Sequence, residues 1–262
     1  MRVARFSTDG RDPRFGIVDD DEMVVLSGDP MFSGYEPTGE RVPLDGARLL
    51  APVIPRSKVV CIGLNYPEPG HELAGRTGGE LPPVLLKPNT AVVGPGDPIL
   101  LPPVEGRFVH EGELVAVIGR IAKQIRAEDW ADYVFGYTIG NDVSARDQML
   151  ADGQWVRGKG YDSFAPIGPW IETELDPSAL EIRTRVDGVE RRRGSTRDMI
   201  HRLPALLEAL SDVWTLLPGD IVMTGSVPGD GVFAAGQTVE VEIEGIGILA
   251  NPARARDAAR HA

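Results

Sequence analysis

Three carboxylates carry the clearest chemical signal in this chain: Glu111 and Glu113 in VHEGELVAVIG, and Asp142 in TIGNDVSARD. Side chains alternate faces along an extended strand, so Glu111 and Glu113 share one side while His110 and Gly112 take the other. The pair runs directly into ELVAVIG, a stretch that reads as buried strand. Adjacent anions there repel each other and lose solvation unless a cation compensates them. Hard divalent ions take carboxylate oxygens in this way, with water or substrate oxygens completing the shell. On spacing alone, a solvated pair at a sheet edge fits equally well.

The elements that must position these residues are short and strand-rich. Residues 1–50 give the alternating runs VARF, FGIV and MVVL between Asp, Gly and Pro turns, a small β-meander, followed by a turn-rich linker, GDPMFSGYEPTGERVPLDG. In the main part, PVLLKP and ILLPP read as strands, and AEDWADYV reads as a short helix leading into the strand FGYTIGND. The Asp-Gly in LEIRTRVDGVERRRG signals a hairpin. A long amphipathic helix is expected over DMIHRLPALLEALSDVWTL, with apolar residues at 199, 200, 203, 206, 207, 210 and 214 and Pro204 in its first turn or at a kink. GDIVMTG, QTVEVEIEG and GILA close the domain as strands, and the charged tail 253–262 is expected to be flexible. Residues 67–82, rich in Pro and Gly, read as a loop or lid with one helical turn at HELAG. The fold class is mainly β with few helices, an α+β arrangement.

Composition narrows the function classes. The 262 residues carry a net charge of −12, which argues against nucleic acid as a partner because phosphate binding needs a basic surface. No window approaches the roughly 18 apolar residues of a membrane span, and the N-terminus lacks a signal-peptide run, so a cytoplasmic protein is expected. The single cysteine, Cys61, excludes an internal disulfide and a zinc set, and its place in SKVVCIGL suits the core better than a nucleophile's role. His110, His201 and His261 build no Ser-His-Asp case, and GDGVFAAG lacks the strand-to-helix context of a phosphate loop.

CIGLNY, LKP followed by VVGPGDPI, EGELVAVIGR, DYVFGYTIGNDVSARD, GKGYD, GPW, PGDIVMTG and VEVEIEGIG together resemble the fumarylacetoacetate hydrolase family, from about residue 57 to 250. Residues 1–50 resemble the small accessory domain of its shorter bacterial members. The resemblance implies a mixed β-sheet roll over 51–252, assembled as a homodimer. It implies that Glu111, Glu113 and Asp142 bind Mg2+ or Mn2+, with Ca2+ also accepted, and that the substrate is a small anionic keto acid with adjacent or alternating carbonyls. The metal would act as a Lewis acid on the enolate formed when a carbon–carbon bond breaks or a proton moves. By the same resemblance Arg146 would clamp a carboxylate, Lys159 would stabilise an oxyanion, and Lys87, Gln148, Tyr161, Thr224 and Gly225 would surround the substrate. Arg146 could instead pair with Asp147, Lys159 could be solvated in its glycine turn, Lys87 could be structural, and Thr224-Gly225 could form a plain turn.

The chain departs from the family pattern at the lid. Relatives continue the strand as N-Y-x-x-H-x-x-E, a histidine–glutamate dyad that activates water. Here Glu72 is in place, Pro69 stands at the histidine position, and His71 comes two residues late. The family's glutamine seven residues after the metal aspartate is Met149, preceded by Gln148. Three readings follow: a hydrolase or decarboxylase of acylpyruvate-like substrates with a shifted lid, in which Glu72 and His71 still transfer protons; a non-hydrolytic tautomerase, isomerase, dehydratase or cyclisation enzyme; or a non-catalytic metal-binding paralogue.

Overall fold

The computed structural model describes residues 1–8, 13–68 and 82–256. Strands dominate, in one twelve-stranded, one five-stranded and one three-stranded sheet. The large sheet is mixed: Val59–Ile62 runs parallel to Ile221–Met223, whereas Gly112–Ile118 pairs antiparallel with Val134–Asn141 on one side and with Ile221–Met223 on the other. Gly112–Ile118 is buried along its whole length, which explains why GELVAVI reads as an unbroken apolar run rather than an alternating one.

The core fills the space between the large and the five-stranded sheets. Leu114, Ala116, Ile118 and Ile139 meet Ile182, Val241, Ile243 and Leu249, and one helix adds Leu203, Leu206, Leu207 and Leu210. At Gly112 the two sheets approach so closely that a Cβ would stand 2.6 Å from Thr184 Cγ2 and 2.7 Å from Val241 Cγ1. A glycine between the two glutamates is therefore what lets the five-stranded sheet press against the back of the carboxylate strand.

Several elements differ from expectation. The amphipathic helix spans Leu203–Val213, with Pro204 in its first turn, where a missing N–H costs nothing. Before it, Ile200 and His201 give their backbone N–H groups to Asn65, and so do not extend the helix. AEDWADY forms a 3-10 helix, Ala127–Tyr133. The expected linker contains a short helix, Pro30–Ser33, capped by Asp29, and a strand, Pro37–Pro43, which lies at the end of the large sheet, where proline is tolerated. Through Arg2–Ser7 the N-terminal meander joins the large sheet, pairing with Ala165–Glu172. The last strand, Gly247–Ala255, takes in the first residues of the tail by pairing with Ile99–Leu101. The hairpin turns at Asp187-Gly188 as read, and Cys61 is fully buried, its thiol pushed well up by burial. Among the described residues no helix is long and apolar enough to cross a membrane.

Candidate active site

Strand pairing brings the three carboxylates together. Gly112 pairs with Asn141, so Glu113 and Asp142 emerge at the same end of the sheet. Two further bonds fix the ends: Asp142 N–H donates to Glu111 O at 2.8 Å, and Glu111 N–H donates to Asn141 Oδ1 at 2.9 Å. Oxygens of Glu111, Glu113 and Asp142 lie within 4.8 Å of one another, and all three residues are buried.

Cations surround this cluster. Lys159 Nζ donates to Asp142 Oδ2 at 2.6 Å and also to Glu111, while Arg146 Nη2 donates to Glu111 Oε1 at 2.9 Å. Lys87 Nζ forms an ion pair with Asp142 Oδ1 at 2.5 Å and donates to the carbonyls of Val143 and Phe164. Arg146 thus pairs with Glu111, and Asp147 is taken by Arg107. Lys159 is buried rather than solvated. Three negative charges (Glu111, Glu113, Asp142) are set against three positive ones (Lys87, Arg146, Lys159).

The balance is uneven within the cluster. Burial opposes ionisation of Glu111, but Lys159 and Arg146 outweigh it and pull its carboxyl down to about 2. Glu113 has no ion pair among the described residues, and burial, then Asp142 and Glu111, push its carboxyl well above the usual range. Its hydrogen bond comes from Gly225 N–H at 2.7 Å. A divalent cation suits this donor set: it would let Glu113 ionise, and buried Asp142 Oδ1 accepts no aligned hydrogen bond that coordination would displace.

Glu111 and Glu113 lie at the floor of a cleft of about 570 Å³. Glu111, Glu113, Arg146 and Lys159 line it; Asp142 and Lys87 lie buried behind. Apolar walls come from Ile62, Met149, Trp155 and Val232, and polar groups from Tyr66, Glu68, Arg107, Arg192 and Asp230. Gln148, Tyr161, Thr224 and Gly225 do not line the cleft. Tyr161 donates its hydroxyl proton to Gln148 at 2.8 Å, Thr224 Oγ1 donates to Leu114 O at 2.9 Å, and Gly225 acts from behind by holding Glu113. His71 and Glu72, with Pro69, fall outside the described residues.

Asn65 ties this arrangement together. Its Nδ2 donates to Thr224 O at 2.7 Å and to His201 O at 3.0 Å, and its Oδ1 accepts from His201 N–H. The residue thus joins the root of the cleft wall Tyr66–Glu68 to the turn that carries Gly225. Arg192 was hidden in the sequence inside RRR; strand alternation alone would have turned the middle arginine inward.

A family model described as fumarylacetoacetate hydrolase C-terminal matches residues 58–254, and one described as Rv2993c-like N-terminal matches residues 1–52. Protein Rv2993c of Mycobacterium tuberculosis is 49% identical over 228 residues, 86% of this chain and 83% of its own. The solved 5-carboxymethyl-2-hydroxymuconate delta-isomerase of Mycobacterium smegmatis is 43% identical with a TM-score of 0.89, covering 98% of this chain and 100% of its own. Maleylpyruvate hydrolase of Sphingobium sp. SYK-6, solved with manganese(II) and pyruvate, is 30% identical with a TM-score of 0.81, covering 98% and 100%.

Proposed function

Because this chain belongs to the fumarylacetoacetate hydrolase family, we propose that it is a divalent-metal-dependent enzyme that converts a 2-oxo carboxylic acid through its enol form. The observation that carries this reading is the buried Glu111–Glu113–Asp142 cluster, its oxygens within 4.8 Å, at the floor of a cleft that also presents Arg146 and Lys159. The manganese and pyruvate bound to the Sphingobium relative support it. A bound Mg2+ or Mn2+ supplies Lewis-acid polarisation of the 2-oxo group. The remaining chemistry belongs to side chains. Arg146, oriented by Glu111, offers guanidinium donors to the substrate carboxylate. Lys159, whose ammonium is favoured by Asp142 and Glu111 despite burial, holds positive charge where the enol oxygen becomes negative. Ile62, Met149 and Trp155 keep water from the reacting carbon.

Proton transfer, as in an isomerase or tautomerase, is favoured over hydrolysis by one feature. Met149, a thioether with no proton to give, lines the cleft where the family's glutamine would position a water. The Mycobacterium smegmatis isomerase, at 43% identity, points the same way. Glu68 on the cleft wall is a described carboxylate that could move the proton, and Glu72 and His71 are the further candidates that the resemblance names.

Proton NMR of oxaloacetate and an acylpyruvate in D2O, with and without Mn2+ during enzyme treatment and with the metal chelated before recording, tests this. Metal-dependent exchange next to the carbonyl without cleavage is expected. Cleavage would restore the hydrolase reading, and exchange that is indifferent to metal would sink the metal centre.

A further inference from the structure

Lys159 differs from the other cations around the carboxylates in what holds it. Its Nζ donates to Asp142 Oδ2 at 2.6 Å and to Glu111 Oε2, and among the described residues it has no further acceptor. Lys87 is anchored independently, because the carbonyls of Val143 and Phe164 accept from it in addition to its ion pair with Asp142 Oδ1. Arg146 takes the remaining oxygen, Glu111 Oε1. All four oxygens of Glu111 and Asp142 therefore already face a cation of the protein, and Lys159 alone bridges the two residues.

The fold delivers Lys159 to this bridge. It ends the one-turn helix Val156–Lys159, which packs so closely on the helix Arg146–Asp152 that a Cβ on Gly158 would stand 2.7 Å from Met149 Cβ. A side chain at 158 would push the turn, and Nζ with it, away from the carboxylates. Burial works against the charge of Lys159, which is 3% exposed, but Asp142 and Glu111 outweigh it and favour the ammonium. Lys159 thus neutralises two of the three carboxylates suited to a divalent cation, and it also lines the cleft. Two cations drawing on the same buried oxygens repel each other strongly at such short range.

We propose that Lys159 is the cluster's own counter-ion: it competes with a divalent cation for Glu111 and Asp142, holds the affinity for metal down, and turns its ammonium toward the cleft once those oxygens are taken. The metal centre rests on the function proposed above; the competition rests on the contacts of Lys159. The charges agree with it. With all three carboxylates ionised, the cluster balances three against three and offers a divalent cation no surplus negative charge. Without Lys159 the balance is three against two.

Calorimetric titration of the whole protein with Mn2+ tests this, because the sign of the effect decides. Lys159→Met removes the charge and adds no oxygen that could bind the ion. It should bind Mn2+ at least about tenfold more tightly than the wild type, whereas loss of a ligand or of a residue that merely shapes the site weakens binding. Lys159→Arg, which keeps the charge, should stay within about threefold of the wild type. In thermal melts Lys159→Met should unfold earlier than the wild type without metal and gain the larger shift from Mn2+. If Lys159→Met is unfolded without metal, Lys159→Gln makes the same comparison. A charge-removing variant that binds Mn2+ as the wild type does, or more weakly, would overturn the competition and leave the metal centre standing. Mn2+ bound by neither protein overturns the metal centre itself, and the competition with it.

Discussion

Glu113→Gln separates a metal centre from a purely structural charge cluster. Glu113 has no ion pair among the described residues and accepts one backbone bond, from Gly225 at 2.7 Å, which a glutamine oxygen can also accept. Burial and its anionic neighbours already favour the neutral acid in the metal-free protein. The substitution should therefore leave the metal-free melting temperature within about 2 °C, since a neutral amide replaces an already neutral acid and the backbone bond is kept. The metal-loaded protein should respond very differently. Saturation at about 100 times Kd stabilises by about 2.7 kcal/mol, roughly 5–10 °C for a chain of this size. Losing an outer-shell partner alone weakens metals about 10- to 100-fold, so neutralising a direct ligand should weaken them by at least about 100-fold. At the same Mn2+ concentration the stabilisation then falls to about 0.4 kcal/mol, roughly 1 °C. Thermal melts with and without Mn2+ read both numbers. A variant that keeps the full Mn2+ shift, or one whose metal-free form loses more than about 3 kcal/mol, would refute the reasoning by showing that the Glu113 charge is a structural partner.

Lys87→Met should destabilise the metal-free protein by about 3–5 kcal/mol in urea unfolding, because it strips buried Asp142 of a cation and leaves two carbonyls without a donor; a loss below about 1 kcal/mol would show that Lys87 is dispensable to the fold. His110 is held neutral by burial and by Arg192, its imidazole pulled down to about 3. The unfolded chain takes up that proton first, so stability is lost as pH falls from about 6.5 toward 3, by up to about 1.4 kcal/mol per pH unit. Over that window His110→Gln should flatten the pH dependence of urea midpoints by close to one proton, and an unchanged slope would contradict the assignment.

The carboxylate centre was legible because an i, i+2 pair on a strand carries its own geometry. Asp142 joined it only through the family pattern, since the pairing of Gly112 with Asn141 is a long-range fact that local propensity does not contain. Arg192 carries no signal of its own in the hairpin run ERRRG; its inward facing follows from which face of strand Val189–Ser195 is buried, a long-range fact. Strand Pro37–Pro43 was taken for linker because proline and glycine weigh against strand, yet at a sheet edge the missing donors cost little. The helix was drawn too long because Met199 and Ile200 fit its periodicity, whereas the backbone at Ile200 and His201 is bonded to Asn65. Thr224 and Gly225 are expected beside the substrate by resemblance; neither lines the cleft, and they bond instead to Leu114 and Glu113.

Asn65 has a consequence for communication within the site. One amide bonds the turn that aims Glu113 and the segment that opens the helix, and its own backbone continues into the wall bearing Tyr66 and Glu68. A ligand that shifts the wall must therefore strain or relax the bond that sets Glu113, and occupancy of the centre must by reciprocity bias the wall. In the metal-dependent enzyme proposed above, cation and organic ligand would be coupled through this single buried side chain, and Asn65→Ala should change that coupling while leaving Glu111, Glu113 and Asp142 in place.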